Sequence, residues 1–491
     1  MPPIHYPHRN LALAAFGLAV VMTAATRADE AGEWRQFRGP NCSGVSQSDL
    51  PLPTEFSATE NVVWSHELGD GVASAVIADG RCYCTGLLGD TETEGTFVVY
   101  CFDEATGEPI WQREFPTGEL PRITRPNSHA SSTPATDGER VYVYFSTLGL
   151  MALDGKTGDD VWHEKIQQPQ YLLGWGAASS PVLVDDLVIF AQDDDLNPFI
   201  AAYEAKTGSL RWRKERPDML GGYAAPVLCT ADGRTDIVLA GSGKLKGYRP
   251  QDGKELWNCN TMLRTVMTTP VVVDENIFIS IQSYGDTDRH LKPALLQWKD
   301  TNQDGKLSRE EVPPAFSKKF DKGDANQDDF LVDEEIDAAF QSADNMVGGG
   351  QTIQSVRGGG HGDVTKTHVQ WNLDNRSPSN LSSPLVVNGR VYVVKKGALS
   401  SCFNAEDGAT IWKLKRLKNF GEYYASPVYG DGKIYMTGEN GFVAVLDSGP
   451  ELKFLAERND LGESILATPS IANGKLFFRT RNRILVVGGD Q

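Results

Sequence analysis

The stretch Leu153-Asp-Gly-Lys-Thr-Gly-Asp-Asp-Val-Trp162 carries the pattern that decides the fold: a short apolar strand, a turn with glycine, and then an aromatic residue. The pattern recurs with its aromatic residue at Trp111, Trp212, Trp257 and Trp412, and in degenerate copies at Trp371 and Phe454. The aromatic residues at 111, 162, 212 and 257 lie 51, 50 and 45 residues apart. Self-similarity at such a period is typical of a repeat architecture.

A second pattern opens each repeat, where a small or hydroxylated residue, usually followed by proline, begins an apolar strand. Eight openings occur, with first residues Ser74, Thr133, Ser180, Ala225, Thr269, Ser383, Ser426 and Thr468. A polar turn such as Asp137-Gly138 or Asn388-Gly389 follows, and then a β-branched or aromatic strand. Short apolar runs divided by such turns are typical of β-hairpins. Each repeat therefore predicts four strands.

Four-stranded antiparallel units in tandem can bury both sheet faces by stacking around an axis, as in a β-propeller. The eighth opening is followed by too little chain for a fourth strand, but Asn61-Val-Val-Trp64 stands ahead of the first opening. A strand from the N-terminal side that completes the last blade would remove an exposed sheet edge. The sequence thus predicts an all-β fold, an eight-bladed β-propeller over residues 61–491, preceded by a lead segment at 29–60.

The glycine and the tryptophan of the repeat are predicted to be structural. Glycine adopts positive φ readily at the end of a tight hairpin, and threonine or aspartate can bond the local backbone there. The tryptophan is expected to fill the gap between neighbouring blades.

The Leu-Asp-x-x-Thr-Gly-x-x-x-Trp pattern resembles the repeat of quinoprotein, or PQQ-like, β-propellers, which include alcohol and glucose dehydrogenases, and of the outer-membrane assembly lipoprotein BamB. Trp34-Arg-Gln-Phe-Arg-Gly-Pro40 and Gly362-Asp-Val-Thr365 resemble segments of exported PQQ-like propeller proteins of the planctomycete kind. The resemblance covers about residues 34–491 apart from one insert. It implies the fold more strongly than a function, because one fold hosts many functions.

Two functions remain open at this point. Quinoprotein alcohol dehydrogenases carry a vicinal Cys-Cys pair and a Glu-Asn-Asp calcium set, and neither matches a motif of this sequence. The resemblance therefore favours a non-catalytic scaffold or binding protein with a protein or glycan partner, and speaks against PQQ as a cofactor. The alternative is a PQQ-dependent quinoprotein oxidoreductase of the alcohol or sugar dehydrogenase type that uses the propeller funnel.

Residues 1–28 are predicted to be a secretory signal peptide. Arg9 precedes a largely apolar run from Leu11 to Ala25, and small residues follow before Asp29. The region lacks a cysteine, so lipidation is not expected, and the sequence predicts a periplasmic or secreted protein without a membrane span. The net charge of −18 argues against a nucleic-acid partner.

Seven cysteines leave at least one thiol unpaired within the chain. Cys82 and Cys84 face the same way on one strand, and Cys101 lies in the strand expected beside it. The sequence therefore allows one disulfide among these three cysteines in an oxidising compartment.

An insert in blade 5, at residues 297–345, breaks the repeat with two EF-hand-like loops. Such a loop binds calcium through side-chain oxygens, one backbone carbonyl and a closing glutamate. The predicted ligands of the first loop are Asp300, Asn302, Asp304, Lys306 (carbonyl) and Glu311. Those of the second loop are Asp324, Asn326, Asp328, Phe330 (carbonyl) and Glu335.

The second loop departs from the EF-hand pattern twice, and this leaves its calcium binding open. Asp329 replaces the usual glycine, and Val332 removes the polar group of the ninth position. The helix between the loops is expected to be short. Glycine runs at 348–350 and 358–360 flank the return to the blade, so the insert is expected to sit on flexible stems, independent of the propeller.

Residues just before the openings are expected to converge at one mouth of the central channel. The candidates for a small-molecule funnel are Arg125, Asn127, His129, Trp175, Tyr223, Tyr423 and Tyr424. His361, beside Gly362-Asp363, is expected nearby. Aromatic groups mixed with Arg, Asn and His are typical of a ligand site, although ordinary packing at the mouth is the alternative. No nucleophile motif such as Gly-x-Ser-x-Gly occurs, so no catalytic residue is predicted.

Overall fold

The computed structural model describes residues 32–171, 174–219, 221–241, 243–260, 267–282, 296, 299–312, 316–340, 351–374, 381–395, 397–417 and 421–489. The predicted signal peptide lies outside these residues. Within them the chain forms eight propeller blades of four antiparallel strands each, and a fifth strand joins the sheet of blade 4. The predicted all-β, eight-bladed fold is confirmed.

The strand bounds of the first four blades are given in sheet order, after β1 (Val62–Glu67), which belongs to blade 8. Blade 1 contains β2 (Val76–Ala78), β3 (Arg81–Gly89), β4 (Gly95–Asp103) and β5 (Pro109–Pro116). Blade 2 contains β6 (Ala135–Thr136), β7 (Arg140–Phe145), β8 (Gly149–Asp154) and β9 (Asp160–Glu164). Blade 3 contains β10 (Val182–Val184), β11 (Leu187–Gln192), β12 (Phe199–Glu204) and β13 (Leu210–Glu215). Blade 4 contains β14 (Val227–Ala231), β15 (Arg234–Gly241), β16 (Lys244–Tyr248) and β17 (Glu255–Asn260).

The remaining blades follow the same plan, with extra strands around blade 5. That blade contains β18 (Val271–Val273), β19 (Asn276–Gln282), β22 (Gln351–Arg357) and β24 (Val369–Asp374), while β20 (Leu307–Ser308), β21 (Phe330–Leu331) and β23 (Gly362–Asp363) lie outside it. Blade 6 contains β25 (Leu385–Val387), β26 (Arg390–Lys395), β27 (Leu399–Asn404) and β28 (Thr410–Arg416). Blade 7 contains β29 (Val428–Gly430), β30 (Lys433–Thr437), β31 (Phe442–Asp447) and β32 (Phe454–Asp460). Blade 8 contains β33 (Ser470–Ala472), β34 (Lys475–Arg479), β35 (Arg483–Gly488) and β1.

The ring is closed by the strand from the N-terminal side, as predicted. Strand β1 pairs antiparallel with β35, with Trp64 opposite Val486 and Ser65 opposite Leu485. The last blade thus combines two distant parts of the chain, so its outer strand leaves no gap in the sheet.

Tryptophans join neighbouring blades at their outer edge, in contacts that we call rim contacts. The indole N–H donates to a carbonyl of the next blade at 2.7–3.1 Å in the pairs Trp64–Glu104, Trp111–Gly155, Trp162–Ala205, Trp212–Pro250 and Trp371–Ala405. The same rings cover the repeat glycines 107, 158, 208, 253 and 408, where an added Cβ would lie only 2.4–2.9 Å from the indole. These glycines also have φ of 64–76°. Both the φ value and the close approach therefore require glycine.

Hydroxyl groups join the blades at the inner edge, in what we call the hydroxyl ring. The backbone N–H of one opening residue donates to the hydroxyl of the next opening at 2.9–3.0 Å, in the pairs Ser74–Thr133, Thr133–Ser180, Ala225–Thr269, Thr269–Ser383, Ser383–Ser426 and Ser426–Thr468. Ser74 Oγ donates to the Thr468 carbonyl at 2.7 Å and closes the circle. Ala225 has no hydroxyl, so the bond that Ser180 N–H would donate to this position is missing from the ring.

The lead segment lies inside the channel, a placement that the sequence did not reveal. Trp34 and Ile77 exchange two backbone hydrogen bonds of 2.9 Å with each other. Further hydrogen bonds join the segment to blades 2, 3, 4, 6 and 7, in the pairs Arg35–Thr136, Gln36–Leu183, Asn41–Leu228, Arg38–Pro384 and Gly44–Tyr429. A single 3-10 turn, Pro40–Cys42, lies within it. The segment therefore ties six blades together from the inside.

The insert docks on the propeller, and the expectation that it is independent is wrong. Its described part contains helices Ser317–Gly323 and Asp333–Phe340 and the short antiparallel pair β20–β21. Its hydrophobic core includes Leu307, Phe320 and Leu331, and also Leu196, which belongs to blade 3 and is fully buried. The glycine run at 348–350 lies outside the described residues. A blade 3 side chain in the core of the insert fixes the module to the blades.

The segment Gly362–Asp363 lies away from the funnel, contrary to expectation. It forms β23, which pairs parallel with β17 on the outer side of blade 4, and the short helix Thr365–His368 follows it. The long turn between β22 and β24 folds back over the edge of the neighbouring blade. His361 therefore stands beside that outer edge, away from the channel mouth.

The cysteines form no disulfide among the residues that the structure describes, and all seven are buried thiols. Tyr83 is the residue opposite Cys101 in the β3–β4 register, so Cys101 lies on the other face of the sheet from Cys82 and Cys84. The two thiols on the shared face have their sulfurs 3.9 Å apart. A disulfide to Cys101 is thus excluded by the alternation of side chains along the strand.

Candidate functional site

A cavity of about 400 Å³ opens at one mouth of the channel and is called the funnel here. Its wall contains the hydroxyl-ring positions of the openings, and Phe37 of the lead segment contributes to its lining. Five of the seven predicted funnel residues line it: Arg125, Asn127, Trp175, Tyr223 and Tyr424. The aromatic rings at this mouth come from connections between different blades, and the topology brings them together.

Two predicted funnel residues, His129 and Tyr423, point away from the cavity. His129 is 8 % exposed, and burial lowers its pKa, with Asp70 opposing and Arg125 adding to the shift. Tyr423 is 2 % exposed and packs in the core shared by blades 6 and 7, where burial raises its pKa well above the usual value. Proximity to an opening places a residue near the mouth, but the direction of its side chain alternates along the chain. These two assignments are therefore corrected.

The single guanidinium among the described lining residues is already paired. Arg125 lies 3.3 Å from the Asp70 carboxylate, which also contacts Arg481 at 2.5 Å and accepts a hydrogen bond from Ser128 at 2.6 Å. Asn127 donates to the carbonyls of Trp175 and Ala177. The polar groups of the mouth thus hold its loops together.

An aromatic wall forms one side of the funnel. The rings of Tyr171 and Tyr223 stack with centroids 4.8 Å apart, and the ring of Trp175 lies 6.3 Å from that of Tyr223. Tyr171 is buried behind Tyr223, whose ring faces the cavity together with Trp175. Such a wall suits the face of a flat or cyclic ligand.

The described lining does not fit PQQ and its calcium ion. A quinone with several carboxylates needs cationic partners, and calcium needs oxygen ligands, usually including carboxylates. The described lining residues include no Asp or Glu, and Arg125, their only cation, is engaged by Asp70. The donor set of the described wall is therefore one of hydroxyls, aromatic rings and an amide.

The first loop of the insert has its predicted ligands arranged around backbone N–H groups. Asp300 accepts hydrogen bonds from the N–H groups of Asp304 and Gly305 at 3.1 and 2.8 Å, and Gly305 takes φ 78°. Glu311 accepts from the N–H groups of Ser308 and Thr301 at 2.9 and 2.8 Å. Burial opposes ionisation of Glu311, but these hydrogen bonds prevail and lower its pKa to about 2. The closing glutamate is thus ionised at neutral pH.

The second loop repeats this arrangement. Asp324 accepts from the N–H groups of Asp328 and Asp329 at 3.1 and 3.2 Å, and Glu335 accepts from that of Val332 at 3.2 Å. Asp329, which stands at the usual glycine position, takes φ 64°. The left-handed conformation needed at this position is thus reached without glycine.

The remaining predicted ligands hold equivalent places in the two loops. Asn302 and Asn326 each accept a hydrogen bond at 2.9 Å from the residue two positions on. The N–H groups of Lys306 and Phe330 donate to the aspartates two positions before them, Asp304 and Asp328. Leu307 lies opposite Leu331 in the β20–β21 pair, which joins the loops. In the described part of the chain, no three carboxylate, imidazole or thiol groups surround one point that could hold a metal. Calcium at these loops stays a prediction.

Among the helices that the structure describes, none is long and apolar enough to cross a membrane.

Comparisons with known proteins point to one family of propellers. The sequence family described as "Outer membrane protein assembly factor BamB" matches residues 54–172, 95–314 and 363–487. The BamB of Yersinia pestis is 22% identical over 415 residues, which cover 81% of this chain and 91% of that protein. The structure of BamB from Moraxella catarrhalis has a TM-score of 0.52 at 13% identity and covers 88% of this chain and 98% of its own, a likeness that shows the fold alone.

A shorter match points to an enzyme. The quinohemoprotein alcohol dehydrogenase ADH IIB of Pseudomonas putida is 27% identical over 124 residues, which cover 23% of this chain and 17% of that enzyme. The matches together confirm the resemblance to PQQ-like and BamB-type repeat propellers. The planctomycete likeness of two segments stays a prediction.

Proposed function

The chain belongs to the family of the outer membrane protein assembly factor BamB, and from that premise we propose that it is an exported, non-catalytic β-propeller scaffold that binds a protein or glycan partner and carries calcium on its insert. The observation that carries the proposal is the composition of the funnel. Its described wall offers hydroxyls and aromatic rings, and its only cation, Arg125, is paired with Asp70, a carboxylate that it shares with Arg481. Such a wall can hold a ligand, but its described residues include no carboxylate that could act as a general base or as a calcium ligand.

The calcium part of the proposal rests on the two loops of the insert. The loops supply the oxygen ligands that calcium prefers, and they already have the sharp turn and the short β pairing that a paired site requires. Calorimetric titration of the purified full chain with calcium is expected to show uptake at millimolar concentration or below.

Matched variants localise that uptake. Glu311→Gln removes a bidentate oxygen and is expected to weaken the first loop most, whereas Glu310→Gln, on the exposed neighbour, is expected to leave the titration unchanged. Val332→Ser is expected to strengthen the second loop by restoring a water-mediated contact. A wild-type chain that takes up no calcium at millimolar concentration would remove the calcium claim.

Export rests on the predicted signal peptide. Expression in a bacterial host with fractionation is expected to place the protein in the periplasm or the medium, with Asp29 as its first residue by N-terminal sequencing. A protein that keeps residues 1–28 and stays in the cytoplasm would contradict the proposal.

The alternative function is a quinoprotein oxidoreductase, and the observation that favours it is the 27% identity to the alcohol dehydrogenase segment. Titration of the protein with PQQ and calcium, followed by quinone absorption and dye-linked oxidation of alcohols and glucose, separates the two functions. We expect neither signal. A shifted quinone spectrum or oxidation at stoichiometric quinone would make the funnel a catalytic site.

A further inference from the structure

One hairpin of blade 3, residues 193–197 between β11 and β12, links the insert to the wall of the funnel. We call it the coupling hairpin. Leu196 at its tip is fully buried in the same hydrophobic cluster as Leu307, Leu331 and Ile336 of the insert. Leu307 and Leu331 form the β20–β21 pair, and each lies next to the carbonyl-donating position of its predicted calcium loop. The loops and Leu196 therefore share one hydrophobic cluster.

The coupling hairpin is held to the segment behind the aromatic wall. The Asp194 carboxylate accepts the N–H groups of Leu196 and Asn197 at 3.1 and 2.5 Å, and also that of Gln170 at 3.1 Å. Asp195 N–H donates to the Gln170 carbonyl at 2.9 Å. Gln170 precedes Tyr171, so the base of the hairpin fixes the backbone that carries the buried ring of the wall.

The same hairpin holds the other ring of the wall. Asp193 forms a buried ion pair with Arg216, with N–O distances of 2.7 and 2.8 Å, and its carbonyl accepts the N–H of Gly222 at 2.8 Å. Gly222 precedes Tyr223, and a Cβ added at Gly222 would lie 3.0 Å from that of Asp193. The hairpin thus forms hydrogen bonds with Gln170 and Gly222, the residues that directly precede the two stacked tyrosines.

We propose that calcium binding by the insert controls the order of the aromatic wall, so that the funnel is a calcium-regulated binding site. The proposal rests on the calcium binding proposed above. Without the cation, the loops lack the ligand bonds that would fix the β20–β21 pair, and the packing of Leu196 is looser. With the cation, Leu196 is fixed. The hydrogen bonds that Asp193 and Asp194 accept and that Asp195 donates then hold Tyr171 and Tyr223 in their stack. A ligand that binds against the ordered wall then binds more tightly, and by linkage it tightens calcium.

Hydrogen exchange of the full chain, resolved to single amides, tests the coupling without a known ligand. Calcium is expected to slow exchange of the Gly222 and Asp195 amides by at least about fivefold. The Ser426 amide, which belongs to the hydroxyl ring in blade 7, is expected to keep its rate. In the double variant Glu311→Gln and Glu335→Gln, the calcium effect on Gly222 and Asp195 is expected to disappear.

A second variant separates calcium binding from coupling. Leu196→Ala leaves every predicted calcium ligand in place, so calorimetry is expected to show calcium uptake while the protection of Gly222 is lost, and Leu196→Met is expected to retain both. A wild type that takes up calcium and shows unchanged exchange at Gly222 and Asp195 overturns the coupling. Full protection of Gly222 in Leu196→Ala overturns it as well. A wild type that takes up no calcium overturns the proposed function instead.

Discussion

The blades of this propeller are joined at two radii, and the two seams use different chemistry. At the rim, an indole packs on a glycine of the next blade and donates to a carbonyl. At the channel, a small hydroxyl accepts one backbone N–H from its neighbour. The rim contact buries a large apolar surface, whereas the hydroxyl ring adds one directed bond at each junction except that between Ser180 and Ala225. We therefore expect the rim contacts to supply most of the stability of the ring, and the hydroxyl ring to set the position of each blade around the axis.

Loss of a rim indole should have the largest effect. Trp64→Ala removes a 7 % exposed side chain at the junction that closes the ring, and we expect the free energy of unfolding to fall by about 3–5 kcal/mol. Val63→Ala, at a 43 % exposed position on the same strand, should change it by less than about 0.5 kcal/mol. Urea unfolding measures both. Similar losses for the two variants would mean that the rim contact is not the main source of stability.

The repeat glycines allow the effect of the indole contact on stability to be separated from the effect of backbone strain. Gly253 and Gly233 have φ of 64° and 71°, but a Cβ at Gly253 would lie 2.4 Å from the Trp212 ring, whereas that at Gly233 would meet open space. We expect Gly233→Ala to lower the free energy of unfolding by about 1 kcal/mol and Gly253→Ala by about 2–4 kcal/mol. Thermal unfolding of the pair gives the difference. Equal losses would assign the glycine requirement to φ alone.

A buried lysine, Lys395, lies between the rim contacts and the hydroxyl ring, and its contribution to the free energy of unfolding depends on pH. Lys395 is 1 % exposed, and burial, with a smaller effect of Lys413, lowers its pKa to about 7. The unfolded chain therefore binds more protons than the folded chain between about pH 7 and 10.5, so the contribution of this group to stability rises with pH in that window. Lys395→Met should raise the free energy of unfolding by about 1–2 kcal/mol at pH 7 and remove this dependence.

The exposed Lys413 is the control for this effect. Lys413→Met should leave most of the pH dependence in place, since it removes only the smaller cause of the shift. Urea titrations at about pH 7, 8.5 and 10 measure the trend. A wild type whose stability is flat over this range would contradict the inference that Lys395 is held neutral.

The smallest effect is expected at the gap in the hydroxyl ring. Ala225→Ser supplies the hydroxyl that the Ser180 N–H lacks, and should raise the free energy of unfolding by about 0.5–1 kcal/mol. Ala224→Ser, at the adjacent buried position, adds the same group outside the ring and should bring no gain. Differential scanning calorimetry of both variants measures this. If the two variants changed the free energy of unfolding by the same amount, the hydroxyl ring would contribute nothing measurable to stability.

The fold could be predicted from the sequence because the tryptophans of the rim contacts recur at a nearly fixed period. The position of Trp64 ahead of the first opening was sufficient to predict that β1 completes blade 8. The hydroxyl ring was visible as a motif of Ser or Thr before Pro, but its role was not, since a hydrogen bond between equivalent residues of neighbouring blades requires their three-dimensional spacing.

The site was predicted less completely, because the sequence does not show which way a side chain points or which distant residues come into contact. The topology places Arg125, Trp175 and Tyr223 at one mouth, but side chains alternate, so His129 and Tyr423 are buried away from the cavity. The docking of the insert depends on Leu196, which reads as an ordinary hairpin residue 111 positions before Leu307. No local pattern links the two residues, and only the folded chain shows that they share one core.

The lead segment inside the channel determines the route by which a ligand can enter and leave the funnel. Phe37 lines the funnel, and the lead segment is hydrogen-bonded to six blades inside the channel. The channel is therefore closed below the funnel and open only at its mouth. A ligand must then leave by the mouth through which it entered, so its arrival and departure depend on the same aromatic wall. A device that steadies this wall would slow both exchange steps together, and would lengthen the residence time of a captured ligand more than it changes the affinity.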